Sequence, residues 1–132
     1  MTLGAKSRGA LGVVVAGRCR DISEHRDAGF PVFARGQSTL GQKPFTRPSA
    51  LDVPLKISSG DAGKAGAWPD VEVNPGDWIV ADQDGVVCVP KEMLVRVCEI
   101  AGKGRREDEK CREDIVAGKG VQASFDKWRG NL

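Results

Sequence analysis

The stretch that most constrains the fold runs from Leu11 to Arg35. Leu11-Gly-Val-Val-Val-Ala16 is continuously apolar and rich in β-branched residues, the pattern of a strand buried on both faces. Gly17 is expected to end it. Asp21-Ile-Ser-Glu24 has the spacing of a capping box, in which the first side chain caps backbone amides and the glutamate reaches back. A helix is therefore expected from Asp21. It must be short, because Gly29 and Pro31 fall at the offsets of a cap and a stop, and Pro31-Val-Phe-Ala-Arg35 reads as another strand. Strand, helix and strand in immediate succession place the chain in the α/β class.

On either side of this unit the signals are weaker but ordered. Residues 3–8 read as the last turns of a helix, with Gly9 as its left-handed cap. Residues 36–48 are rich in Gly, Pro, Ser, Thr, Gln and Lys without periodicity, which predicts a surface loop. Asp52-Val-Pro-Leu-Lys-Ile57 restores a strand signal that Pro54 pushes toward a sheet edge, and residues 58–69 read as an inserted loop. Val71-Glu-Val73, the turn Asn74-Pro-Gly-Asp77, residues 78–81, the turn Asp82-Gln-Asp-Gly85 and residues 86–89 predict a meander of short strands. Leu94, Val97, Cys98 and Ala101 then recur at helical spacing, and Ile115 and Val116 resume the stripe. A long C-terminal helix follows from that spacing. Gly102 and Gly104 each cost about 1 kcal/mol relative to alanine in a helix interior, so a kink or break is expected there. Ala117-Gly-Lys-Gly120 should end the helix, leaving residues 121–132 as a loosely packed tail beyond a single domain over residues 1–120.

Bulk composition narrows the function classes. With Lys+Arg 20 against Asp+Glu 18 and a net charge of +2, no single-signed field favours nucleic acid or anionic lipid. No apolar run approaches the roughly 20 residues of a membrane-spanning helix, and the first ten residues lack a signal-peptide core. A soluble, cytoplasmic protein is expected. Cys19, Cys88, Cys98 and Cys111 show no CxxC pairing and His25 is the one histidine, so a Cys/His zinc site is hard to assemble and free thiols in a reducing compartment are expected. Cys19 beside Arg20 admits a reactive thiol as the less favoured alternative.

The chemistry-bearing segment is the strand that runs into Gly17-Arg-Cys-Arg-Asp21. In α/β folds ligands collect beyond the carboxyl ends of strands, and Arg20 and Asp21 would sit there. The arginine offers a planar fork for a carboxylate or enolate, and the aspartate offers hard oxygen to Mg²⁺ or Mn²⁺. Plainer roles compete with these. Asp21 could be a helix cap, Glu24 a capping-box member, His25 an exposed helix residue, and Arg20 with Asp21 a surface ion pair worth ~0–1 kcal/mol.

The ordered series Ala5-Lys-Ser-Arg-Gly9, Gly12-Val-Val-Val15, Gly17-Arg-Cys-Arg-Asp-Ile-Ser-Glu24 and Gly29-Phe-Pro-Val-Phe-Ala-Arg-Gly36 resembles the RraA-like proteins. That family contains 4-hydroxy-4-methyl-2-oxoglutarate aldolases, oxaloacetate decarboxylases and the non-catalytic regulator of ribonuclease activity. Asn74-Pro-Gly-Asp77, Ala81-Asp-Gln-Asp-Gly-Val-Val-Cys-Val-Pro90 and Ala117-Gly-Lys119 extend the resemblance to about residue 119, with residues 58–69 as the main interior departure.

The resemblance implies a swivelling β/β/α fold, assembled as a homotrimer or hexamer with sites at subunit interfaces, and a divalent-metal-dependent lyase of small 2-keto acids. Arg20 would hold the substrate carboxylate and enolate oxygen, while Asp21 and Glu24 would serve the metal. Asp108, with Glu109 close behind, would match an acidic residue supplied by a neighbouring subunit; a solvated helix face is the competing reading. The resemblance further implies that only the C-terminal portion of the family fold is present, since an acidic residue of a Gly-rich loop in catalytic members would fall ahead of Met1. That departure favours the rival expectation, a non-catalytic interaction protein resembling the ribonuclease regulator.

Overall fold

A computed structural model of the protein describes residues 1–59 and 68–130. The chain divides into two compact units, Met1–Cys88 and Val89–Leu132. The inserted loop expected at residues 58–69 lies mostly outside the described residues.

The first unit opens with helix α1 (Thr2–Lys6), after which Gly9 takes the left-handed conformation expected of a cap, with φ 84°. Strand β1 (Val13–Cys19), helix α2 (Ile22–Asp27) and strand β2 (Val32–Gln37) follow, and β1 pairs with β2 in parallel, Val13 opposite Val32 and Cys19 opposite Gln37. Gly17 does not end β1. The register slips between Val15 and Arg18 and the strand resumes, as an irregularity centred on a glycine allows. Helix α1 is tied to α2 through a 2.6 Å hydrogen bond between Thr2 Oγ1 and His25 Nδ1, so His25 is half-buried rather than exposed. The backbone amide of Phe30 donates to the His25 carbonyl at 3.0 Å, and Phe30 is the buried aromatic beneath this corner.

The remaining strands of this unit are short. Strand β3 (Leu55–Ile57) pairs antiparallel with β4 (Val71–Val73), and β5 (Trp78–Ala81) pairs with β6 (Val86–Val89). The expected meander is thus split, because β4 bonds back to β3 instead of forward to β5. The two turns behave as their residues require. Asp77 Oδ2 accepts from the Asn74 amide at 2.8 Å across a turn in which Gly76 has φ 92°, and Asp82 Oδ1 accepts from the Asp84 amide at 2.8 Å. β1 is not buried on both faces: Val13 and Val14 remain about two-fifths exposed.

The second unit is a helical hairpin. After a single 3-10 turn (Lys91–Met93), helix α3 (Leu94–Val116) runs for 23 residues, so Gly102 and Gly104 do not end it. Glycine can adopt helical dihedrals, and its cost of about 1 kcal/mol weakens a helix without forbidding it. The helix stops in a Schellman turn: Gly118 has φ 80°, its amide donates to the Ile115 carbonyl, and the Lys119 amide donates to the Asp114 carbonyl, both at 3.0 Å. The expected loose tail is helix α4 (Val121–Trp128). It packs on α3 through the small residues Cys111 and Ser124, which are 2% and 1% exposed, with the Cys111 thiol 3.5 Å from the Ser124 carbonyl oxygen. Asp114 completes the joint. Its carboxylate takes hydrogen bonds from Lys119 Nζ at 2.7 Å, Trp128 Nε1 at 2.9 Å and Lys127 Nζ at 3.0 Å. No helix among the described residues is long and apolar enough to cross a membrane.

Candidate active site

The parallel pair β1 and β2 delivers two neighbouring residues to its carboxyl end. The Ser38 amide donates to the Cys19 carbonyl at 2.8 Å, and Arg18 Nη1 donates to the Gln37 carbonyl at 3.1 Å, which holds the two strand ends together just before Arg20. Asp21 then turns the chain into α2 with φ 61° and ψ 40°, a left-handed backbone. For a residue other than glycine that conformation costs of order 1–3 kcal/mol, and it concentrates at functional positions.

The capping box expected from Asp21 and Glu24 is not formed, since the Asp21 side chain makes no hydrogen bond to the helix amides. The left-handed backbone is the reason, because a capping residue ordinarily uses an extended conformation to aim its oxygen at the first turn. The Asp21 carboxylate turns instead toward Arg20, with Oδ2 3.5 Å from Nε, and both side chains are about half exposed. An exposed pair at this distance contributes little to stability, so neither group is committed to holding the fold. Glu24 is exposed in the first turn of α2.

One contributor was not singled out from the sequence. The loop after β2 passes over Arg20 so closely that a Cβ placed on Gly41 would lie 3.4 Å from Nη1 and 3.6 Å from Cζ. A Cβ there would be in ordinary contact with the guanidinium, and a long side chain would compete with it for the same space. The glycine sits in a stretch whose composition signals only a loop, and the contact arises from the fold.

The other sequence-predicted residues belong to the helical unit. Asp108 Oδ1 accepts from Arg129 Nε at 2.9 Å and from Nη2 at 2.6 Å, which clips the end of α4 to α3. Glu109 pairs with Arg112 at 3.0 Å on the α3 surface. Among the described residues no three His, Cys, Asp or Glu side chains are grouped to hold a metal ion. Asp21 by itself suits a hard divalent cation, since Mg²⁺ retains most of its waters and is commonly held by one or two carboxylates. Cys19, Cys88, Cys98 and Cys111 are all free thiols.

A separate feature of the first unit is an open apolar trough of about 1020 Å³, whose walls include Leu11, Val14, Phe33, Leu55, Ile79 and Val86. Neither Arg20 nor Asp21 lines it. Cys88 does, and burial, reinforced by the Asp77 carboxylate, pushes its thiol pKa up, so the wall stays neutral there.

A parallel strand pair with an arginine and an aspartate paired at its carboxyl end, followed along the chain by short antiparallel pairs and a long helix, defines a mixed α/β protein. The profile of the RraA-like family (Aldolase/RraA) matches residues 1–88, and the chain belongs to that family. It is 37% identical over 113 residues, 86% of its length, to a Halalkalibacterium halodurans protein provisionally named 4-hydroxy-4-methyl-2-oxoglutarate aldolase, of which the match covers 48%. An uncharacterised Methanocaldococcus jannaschii protein is 33% identical over 92% of this chain and 52% of its own. The crystal structure of an uncharacterised protein from Pseudomonas syringae pv. tomato superposes with a TM-score of 0.80 at 29% identity, covering 94% of this chain and 56% of that one. The chain therefore spans about half the length of the curated relatives it matches.

Proposed function

We propose that the chain contributes Arg20 and Asp21 to a divalent-metal-dependent lyase that cleaves 4-hydroxy-4-methyl-2-oxoglutarate to pyruvate and decarboxylates oxaloacetate. The observation that carries this reading is the Asp21 carboxylate, held on a left-handed backbone, withheld from the helix it precedes and turned toward Arg20. Relatives provisionally named as aldolases support the same class of reaction.

In both reactions the bond between C3 and C4 of a 2-keto acid breaks, and its electrons pass toward the C2 oxygen. A Mg²⁺ or Mn²⁺ ion held by Asp21 and Glu24 would supply Lewis-acid polarisation of that carbonyl. Arg20 grips the C1 carboxylate with its planar fork and stabilises the charge that grows on the C2 oxygen. Retro-aldol cleavage removes a proton from the C4 hydroxyl and leaves pyruvate on that side; decarboxylation releases CO₂. Either way the remaining pyruvate enolate takes up a proton at C3. Asp108 is the proposed acid–base group, reaching a neighbouring subunit's site in a homotrimer or hexamer, and to do so it must exchange Arg129 for substrate. Four free thiols fit a cytoplasmic setting.

The test is pyruvate release from both substrates by the purified chain with Mg²⁺ or Mn²⁺, against metal alone. Release above the metal-only rate, abolished by a chelator, is expected. A rate equal to that of metal alone would favour the non-catalytic interaction protein.

A further inference from the structure

Helix α4 ends on a cation that holds the acid–base group of the proposed reaction. The Arg129 amide donates to the Phe125 carbonyl at 2.8 Å, and its guanidinium lies over the Phe125 ring with 4.2 Å to the centroid. Beside it the Trp128 indole fastens the same turn to Asp114 on α3. Held in this way, Arg129 sends both Nε and Nη2 to a single oxygen, Oδ1 of Asp108. A guanidinium fork matches the two oxygens of a carboxylate, and here both donors are spent on one. The pair is also open to solvent, with the Arg129 side chain 32% and that of Asp108 58% exposed, so it adds little to stability and can change partners at little cost. Neighbouring cations of the hairpin are committed elsewhere, Lys119 and Lys127 to Asp114 and Arg112 to Glu109.

The proposed aldol substrate carries two carboxylates. Arg20 takes the one at C1. The other, C5, is attached to C4, the carbon whose hydroxyl proton the acid–base group removes. A carboxylate base that reaches this hydroxyl therefore meets the C5 carboxylate at the same carbon. Two like charges brought together unpaired repel each other, so such a base works on a dicarboxylate only with a cation beside it. Asp108 brings that cation with it.

The geometry points to Arg129 as the residue that selects a dicarboxylate substrate: its fork passes from Asp108 Oδ1 to the C5 carboxylate, and the exchange frees Asp108 for the C4 hydroxyl. The inference deepens the lyase reading and rests on it, including the role of Asp108. Asp108 then takes the hydroxyl proton, the electrons of the C3–C4 bond pass to the C2 oxygen, and C4 becomes the carbonyl of a second pyruvate whose carboxylate is the one Arg129 holds. The enolate left on the Arg20 side takes up a proton at C3.

The test compares two substrates that break the same bond, 4-hydroxy-4-methyl-2-oxoglutarate and 4-hydroxy-4-methyl-2-oxopentanoate, in which a methyl group replaces the C5 carboxylate. Pyruvate release with Mg²⁺ gives kcat/KM for each, and the ratio of the two is read for the wild-type chain, Arg129→Gln and Arg129→Lys. The wild-type chain is expected to favour the dicarboxylate at least about tenfold, and Arg129→Gln to lose most of that preference. Arg129→Lys keeps the charge without the fork and falls between them. A loosened α4 slows both substrates alike, so the ratio reads recognition of the C5 carboxylate and not the fastening of the helix. The inference is overturned if Arg129→Gln keeps the wild-type ratio, whatever happens to the rates, or if an active wild-type chain shows no preference. A wild-type chain that cleaves neither substrate overturns the lyase reading itself, and the inference with it.

Discussion

The indole Nε1 of Trp128 donates to the Asp114 carboxylate at 2.9 Å, joining the last turn of α4 to the last turn of α3. Lys119 and Lys127 bond the same carboxylate, and these hydrogen bonds, that of Lys119 first, hold the Asp114 carboxyl well below the usual carboxylate range. A carboxyl whose folded pKa is depressed stabilises the fold fully above its unfolded value of about 3.9 and loses that contribution as the pH falls toward the folded value. The helical hairpin is therefore expected to be insensitive to pH from neutrality to about 5 and to lose stability progressively below about 4. Asp114→Asn should lower its melting temperature at pH 7 by roughly 5–10 °C and flatten the acid limb. Circular dichroism at 222 nm across pH checks both.

Gly118, at φ 80°, is the left-handed residue of the turn between α3 and α4. A side chain there is strained, and Gly118→Ala is expected to cost about 1–2 kcal/mol. The measurement is the shift of the denaturation midpoint followed by helix content. An unchanged midpoint would mean that the turn does not restrict this position.

Much of this arrangement was legible in the sequence, and the misses have physical causes. Gly9 and Gly29, both at positive φ, mark real ends because glycine enters that region at the least steric cost. The run Leu11 to Ala16 identified β1, yet its apolarity predicted a burial on both faces that the described residues do not provide. Local spacing cannot reveal which strand a strand will pair with, so the separation of β3–β4 from β5–β6 was invisible. Helix α4 was missed because Gly118 and Gly120 suggested an ending, while the evidence for continuation lies in tertiary contacts of Ser124 and Trp128. For the site, Arg20 and Asp21 stood out by their place after a strand. The failed cap at Asp21 and the approach of Gly41 depend on backbone geometry that no spacing encodes.

Gly41 gives a test of the site that leaves its charged residues in place. Gly41→Leu drives a side chain into the space beside the Arg20 guanidinium, where a Cβ alone would already be 3.4 Å from Nη1. Pyruvate release should fall at least about tenfold with no change in circular dichroism or in the midpoint of unfolding. Gly41→Ala, in ordinary contact only, should retain most of the activity.

Arg20 is expected to act as a fork rather than as a simple charge. Arg20→Lys keeps the charge and loses the paired donors, and kcat should fall about 10²–10³-fold, the usual cost of removing one preorganised oxyanion donor. A lysine variant with unchanged kcat and a raised KM would show that Arg20 only binds substrate.

The most direct measurement compares oxaloacetate decarboxylation by the wild-type chain and by Asp21→Asn at saturating Mn²⁺. Asparagine tolerates the left-handed backbone of residue 21 and matches aspartate in shape, so the substitution removes the negative charge while keeping the turn. The account predicts that the wild-type chain releases pyruvate faster than Mn²⁺ alone and that Asp21→Asn falls to the Mn²⁺-only rate with its fold intact. Equal rates for the two proteins would contradict it.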